Sequence, residues 1–223
     1  MRKADTWLDL RIMYTWEPML PVAVVWVGLA ALWGANTAGA PPHIRLNVAG
    51  AFLELGCPLW MAACLAPVAT AEPEEHAAEL VNSYPGAGWR LLARRCLLAA
   101  GVGLAGIAAA ALALRSTLGL PLESELVTGA LPPALLLGTV ALLGGVLGRS
   151  YPVAASAAVA YWVAEWFLRG RLTGRLFMFM RTFPCSATIC NYDLTQNRLL
   201  LLALAALLLA VTLILSERRE RYV

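Results

Sequence analysis

Leu199-Leu-Leu-Leu-Ala-Leu-Ala-Ala-Leu-Leu-Leu-Ala-Val-Thr-Leu-Ile-Leu215 carries no charge and only one hydroxyl, and it is followed directly by Ser216-Glu-Arg-Arg-Glu-Arg-Tyr222. An uncharged run approaching the roughly 20 residues that cross about 30 Å of hydrocarbon as a helix predicts a membrane span. Five further predominantly apolar runs precede it: Met19–Ala35, Val48–Thr70, Cys96–Leu114, Leu126–Leu147 and Val153–Leu168. A span must satisfy its own backbone hydrogen bonds, so all six are expected to be helices, and no alternating barrel strands are visible.

Composition agrees with that reading. The chain of 223 residues is 60% hydrophobic and 14% charged, with a mean hydropathy of +0.69, against about 45–50% apolar and about 25% charged for a soluble domain. Its net charge of +3 and pI near 8.7 do not indicate nucleic acid, because the basic residues lie between apolar runs and form no aromatic-interleaved patch. They act as topology signals instead. Placing both termini in the cytoplasm puts Arg2, Lys3, Arg11, Arg90, Arg94, Arg95, Arg149, Arg218, Arg219 and Arg221 inside, although the segment Arg169–Arg198, which falls outside, is itself basic. The first residues lack the short apolar core and small-residue site of a removable signal peptide, so the first span is expected to stay in the protein.

The polar segments carry the functional candidates. In residues 1–18, Trp7, Leu8, Ile12 and Trp16 form one apolar stripe, which suits an amphipathic helix lying in the membrane interface; a polar tail is the alternative. Residues 71–95 are the long polar stretch of the inner side, with Glu72, Glu74, Glu75 and Glu79. Residues 169–198 are too polar to face lipid yet contain Leu176-Phe-Met-Phe-Met180, a combination that suits interfacial or re-entrant helices in an extracytoplasmic hairpin.

Individual residues have competing explanations. Glu54 lies inside the second span, where a carboxylate costs about 2.5–3.5 kcal/mol, so it is expected to face the interior, neutral or paired, in an interhelical or gating contact. Glu54, Cys57, Met61 and Cys64 share one helical face, which suits either a soft-metal route or plain packing of small and soft side chains; packing is the simpler account and no metal is assigned. Cys185 and Cys190 are the cysteines placed to pair in an oxidising compartment. Gly101, Gly103 and Gly106 in the third span, and Gly144, Gly145 and Gly148 in the fourth, offer close helix approach, and Pro132 and Pro133 a kink. Glu165 can pair with Arg169 one turn on.

Phe52-Leu-Glu-Leu-Gly-Cys-Pro-Leu-Trp60, then Glu72-Pro-Glu-Glu-His-Ala-Ala-Glu-Leu-Val-Asn-Ser-Tyr-Pro85 and Arg90-Leu-Leu-Ala-Arg-Arg95, resemble the type-2 permeases of ATP-binding-cassette (ABC) exporters. Phe177-Met-Phe179, Asn197-Arg198 and the charged end extend the likeness over nearly the whole chain. The usual Gly-Thr before the loop glutamate is replaced by Ala77-Ala78, and a basic residue common in the acidic run is missing. The resemblance implies a single transmembrane domain that dimerises with itself or a sister permease. It also implies that Glu72, Glu75, Glu79, Leu80, Ser83, Tyr84 and Pro85 form a coupling loop seated on an ABC ATPase subunit.

The chain itself holds no nucleotide site: there is no Gly-x-x-x-x-Gly-Lys-Ser/Thr, and Lys3 is its one lysine. ATP and magnesium are therefore expected on the partner ATPase, with no cofactor in this chain. A hydrolase lacks support, since the two histidines, His43 and His76, fall on opposite sides. An ion-driven transporter or channel subunit, a membrane anchor, and a lipid-modifying enzyme using Glu54 or Asp193 remain as alternatives.

Overall fold

The computed structural model describes residues 16–70, 88–119, 124–171, 173–182 and 193–220, and no strand occurs among them. Six long helices follow one another: α1 (Trp16–Thr37), α2 (Pro42–Leu65), α3 (Gly88–Leu118), α4 (Ser124–Gly148), α5 (Tyr151–Leu168) and α6 (Leu194–Glu220). A 3-10 turn, Ala66–Ala69, prolongs α2, and another, Gly174–Leu176, lies between α5 and α6.

Four of these stretches, Pro42–Ala69, Leu92–Leu118, Leu126–Gly148 and Leu194–Ser216, are long and apolar enough to cross a membrane, and Val22–Thr37 is a shorter apolar helix. The protein is thus a helical membrane protein. Most helices run past the apolar stretches expected from the sequence. Arg94 and Arg95 continue α3 rather than ending a loop at residue 95, and Asn197 and Arg198 lie within α6 rather than closing the hairpin. A single charge at a span's edge does not stop the backbone ladder when the side chain finds a partner.

Local chemistry explains the ends. Pro41 has polyproline-like backbone (φ −55°, ψ 150°) and Pro42 stands at the first position of α2, where the missing N–H costs nothing. Pro58 in α2 and Pro132 and Pro133 in α4 are absorbed without breaking either helix. At the far end of α3, the Arg45 guanidinium donates to the Leu118 carbonyl at 2.7 Å, and Gly119 turns left-handed with φ 63°. Arg149 (φ 54°) and extended Ser150 form a two-residue turn that lays α5 antiparallel to α4.

α4 is the hub. It packs most extensively on α2, and then on α6 and α5, while α1 packs on α3 and α2. Two apolar clusters result. The first gathers Phe52, Trp60, Met61, Ile107 and Leu114 from α2 and α3 under α1. The second joins Leu136 and Leu137 of α4 to Leu201 of α6 and to Phe177, Met178 and Phe179 from the connection after α5.

Indoles tie the helices at fixed heights. Trp26 donates to the Gly106 carbonyl at 3.2 Å, Trp60 to Gly103 at 3.0 Å and Trp162 to Leu55 at 3.0 Å. Trp26 also stacks on Phe52 with centroids 5.0 Å apart. Each donor would otherwise be an unpaired polar group in an apolar interior.

Candidate functional site

Glu54 is the carboxylate whose surroundings are most elaborate. It sits midway along α2 and is 2% exposed. One carboxylate oxygen accepts the Thr182 N–H and the Thr182 hydroxyl, each at 2.6 Å, and the other accepts the Arg181 N–H at 3.2 Å. The same oxygen that faces Arg181 also pairs with the Arg198 guanidinium. Four donors therefore replace water around one charge, and one of them is a cation, which is how an ion pair is kept in an apolar interior.

Arg198 in turn donates to the Met178 carbonyl at 3.0 Å. Asn197, beside it in the first turns of α6, donates through its amide to the carbonyls of Arg175 at 2.6 Å and Phe177 at 3.1 Å. The connection 173–182 is thereby held from both sides, its N–H groups by α2 and its carbonyls by α6. Its apolar side chains are buried between α4, α5 and α6, with Phe179 set edge-on to Trp162 at 5.7 Å and to Phe177 at 5.9 Å.

The chain can make this return because of Gly170. It has φ 75°, and a β-carbon there would lie 2.9 Å from the Phe177 ring. Helix among the described residues of this connection is confined to the 3-10 turn Gly174–Leu176.

Glu165, expected to pair locally with Arg169, turns its carboxylate inward. It accepts the Met178 N–H at 3.4 Å and is 3% exposed, while the Arg169 N–H caps the Glu165 carbonyl at 3.0 Å. Met178 is thus gripped through its N–H by α5 and through its carbonyl by α6.

Glu54, expected to face the interior either neutral or paired, is buried and paired with Arg198. The sequence reading did not assign Arg198 to it. The signal available was that Arg198 heads an otherwise uncharged span, so it needs an acid, and Glu54 and Glu165 are the acids within apolar stretches. On the same helix, Cys57, Met61 and Cys64 pack as core, where Cys96 of α3 joins them. Among the described residues no three His, Cys, Asp or Glu side chains converge as a metal-binding group.

The coupling-loop candidates Glu72, Glu75, Glu79, Leu80, Ser83, Tyr84 and Pro85, the pair Cys185 and Cys190, and the amphipathic stretch before residue 16 lie outside the described residues. The described ends that flank the loop are Thr70, after α2, and Gly88, opening α3. Ala69 and Thr70 stand against α4 so closely that a β-carbon on Gly145 would lie 3.1 and 3.2 Å from them. The α4–α5 turn is therefore at the same end of the bundle as Thr70. No family of known proteins, no curated protein and no solved structure matches the chain.

Proposed function

We propose that the chain is the permease subunit of an ABC exporter. In this reading it crosses the cytoplasmic membrane six times with both termini inside. It works as a dimer with itself or a sister permease, on separate ATPase subunits that bring ATP and magnesium. Its cargo is unassigned.

The observation that carries the reading is the line from loop to connection. The 3-10 turn Ala66–Ala69 carries α2 on to Thr70, after which the loop begins, and α2 carries Glu54, which holds 173–182 and α6. An α-helix is stiff over this length, so a partner that closes on the loop displaces Glu54 and whatever Glu54 binds. Alternating access requires such a link between the energised side and the opposite side, with ATP binding favouring one state.

The short connections support the reading of six crossings. A two-residue turn at Arg149 and Ser150 joins α5 to α4, and few residues separate Thr37 of α1 from Pro42 of α2, so in this reading each pair would cross and return. The expected re-entrant character of 169–198 draws support from Thr182 reaching the middle of α2.

A second reading, an ion-driven transporter or channel subunit, is favoured by the buried charges of Glu54, Arg198 and Glu165, since ionisable residues within spans often line ion or proton paths. Purification of the tagged chain from its native membrane in mild detergent separates the two. A stoichiometric ATPase that is lost with Glu79→Arg supports the exporter; its absence under conditions that keep other membrane complexes together favours the ion-driven transporter or the anchor.

A further inference from the structure

We propose that residues 173–182 are a releasable strap joining α2 to α6, and that Arg198 is the positioning residue that keeps it shut, by holding both the Glu54 carboxylate and the strap's backbone. Release of the strap rests on the transporter reading; the joint itself does not.

α2 and α6 are not among the helix pairs with appreciable packing, although α4 packs extensively on both. What joins them is polar: hydrogen bonds through the strap and one direct ion pair. Three hydrogen bonds run from Arg181 and Thr182 to Glu54 on α2, and three run from Asn197 and Arg198 on α6 to the carbonyls of Arg175, Phe177 and Met178. The Glu54–Arg198 ion pair closes the ring.

Such a joint differs in kind from the α2–α4 contact. Apolar interdigitation loses contact area steadily as helices part, whereas a ring of directed bonds is either made or broken, which is the behaviour of a two-state element. The α6 side also holds unused capacity. The Asn197 Oδ1 and the Arg198 Nε are buried with no hydrogen-bond partner. Buried polar atoms are rarely left so, and an orphan acceptor and an orphan donor on adjacent residues suit a joint that takes up other partners when it opens.

Phe177, Met178 and Phe179 give the strap its closing volume. All three are at most 2% exposed, and they fill the second core at the level of Glu54. Parting α6 from α2 would withdraw this plug and open the space beside α4.

Trypsin reads the joint directly, because Arg175 and Arg181 lie in the strap and their own backbone groups are among those held. The full chain in lipid nanodiscs, with both faces accessible, is digested and cuts after Arg175 and Arg181 are timed. Glu54→Gln and Arg198→Met are expected to speed both cuts at least tenfold while cutting after Arg149 is unchanged. The double variant is expected to be no faster than the faster single one, because either change already breaks the ring.

Wild-type rates in both single variants, or a double variant whose acceleration is the product of the two, would overturn the strap. If Arg198→Met does not fold, cuts spread into the helices, as after Arg115, and the near-isosteric Glu54→Gln decides alone. The ATPase copurification is independent: strap release in a chain that recruits no ATPase keeps the strap and rejects the exporter, and an ATPase-bound chain with no release does the reverse.

Discussion

Trp60 of α2 occupies the place of a side chain on Gly106 of α3: a β-carbon built on that glycine would lie 2.2 Å from the indole nitrogen. The indole cannot swing aside cheaply, since it donates to the Gly103 carbonyl and stacks against Trp26 with centroids 6.0 Å apart. Gly106→Ala is therefore expected to destabilise the bundle by about 1–3 kcal/mol, as overpacked cores do. Gly101→Ala, with nothing within 4 Å of the added carbon, is expected to change stability by under about 0.5 kcal/mol. Thermal unfolding in detergent checks the contrast.

Trp162→Phe keeps a ring beside Phe179 but removes the donor to the Leu55 carbonyl. The expected loss is about 0.6 kcal/mol, and at most about 1.7, the range of side-chain hydrogen bonds within membranes. Unfolding in mixed detergent micelles measures it, and a loss beyond that range would mean that the ring's position, rather than its N–H, is at stake.

Asn197→Leu preserves much of the side-chain volume and leaves the carbonyls of Arg175 and Phe177 without their donor. A cost of about 1–3 kcal/mol is expected for unsatisfied buried acceptors. The same unfolding assay should find Thr195→Val nearly silent by comparison, because Thr195 is exposed and its bond to Asp193 is made through the backbone.

Removing one partner of the buried pair is the most damaging single change expected. Arg198→Met strands the Glu54 carboxylate and is expected to cost about 3–5 kcal/mol. Glu54→Gln combined with Arg198→Met should recover part of that loss, since no uncompensated charge remains. A double variant less stable than Arg198→Met alone would show that the charges do not act as a pair.

Topology has its own test. An alkaline phosphatase joined after Arg149 should be inactive and one joined after Thr182 active, with a fluorescent protein giving the inverse pattern. The same sidedness at both points would remove α5 from the set of crossings.

The sequence made the interior position of Glu54 legible because a carboxylate inside a span has so few acceptable environments. Its partner was harder to read, since Arg198 is 144 residues away and neither residue's neighbours encode the pairing. Gly103 and Gly106 were legible as close-approach positions, and Gly101 shows the limit of the pattern: the same spacing faces open space. The helix ends were under-read for a physical reason. Hydropathy falls at the first charge, at Arg95 or Arg198, but hydrogen bonding does not, so α3 and α6 continue past the apolar run. The strap was visible only as an apolar cluster in a polar segment. Its path depends on a left-handed glycine and on bonds to two distant helices, which no window of sequence contains.

α6 has 17% of its apolar window buried, against 72% for α4. Leu199, Leu207 and Ile214 stand open on its outer side. A helix fixed near one end by Asn197 and Arg198, with most of its length toward acyl chains, takes its tilt partly from its surroundings. Bilayer thickness is then a variable of this protein's mechanics: a thinner membrane loads the polar joint at the head of α6 differently from a thicker one.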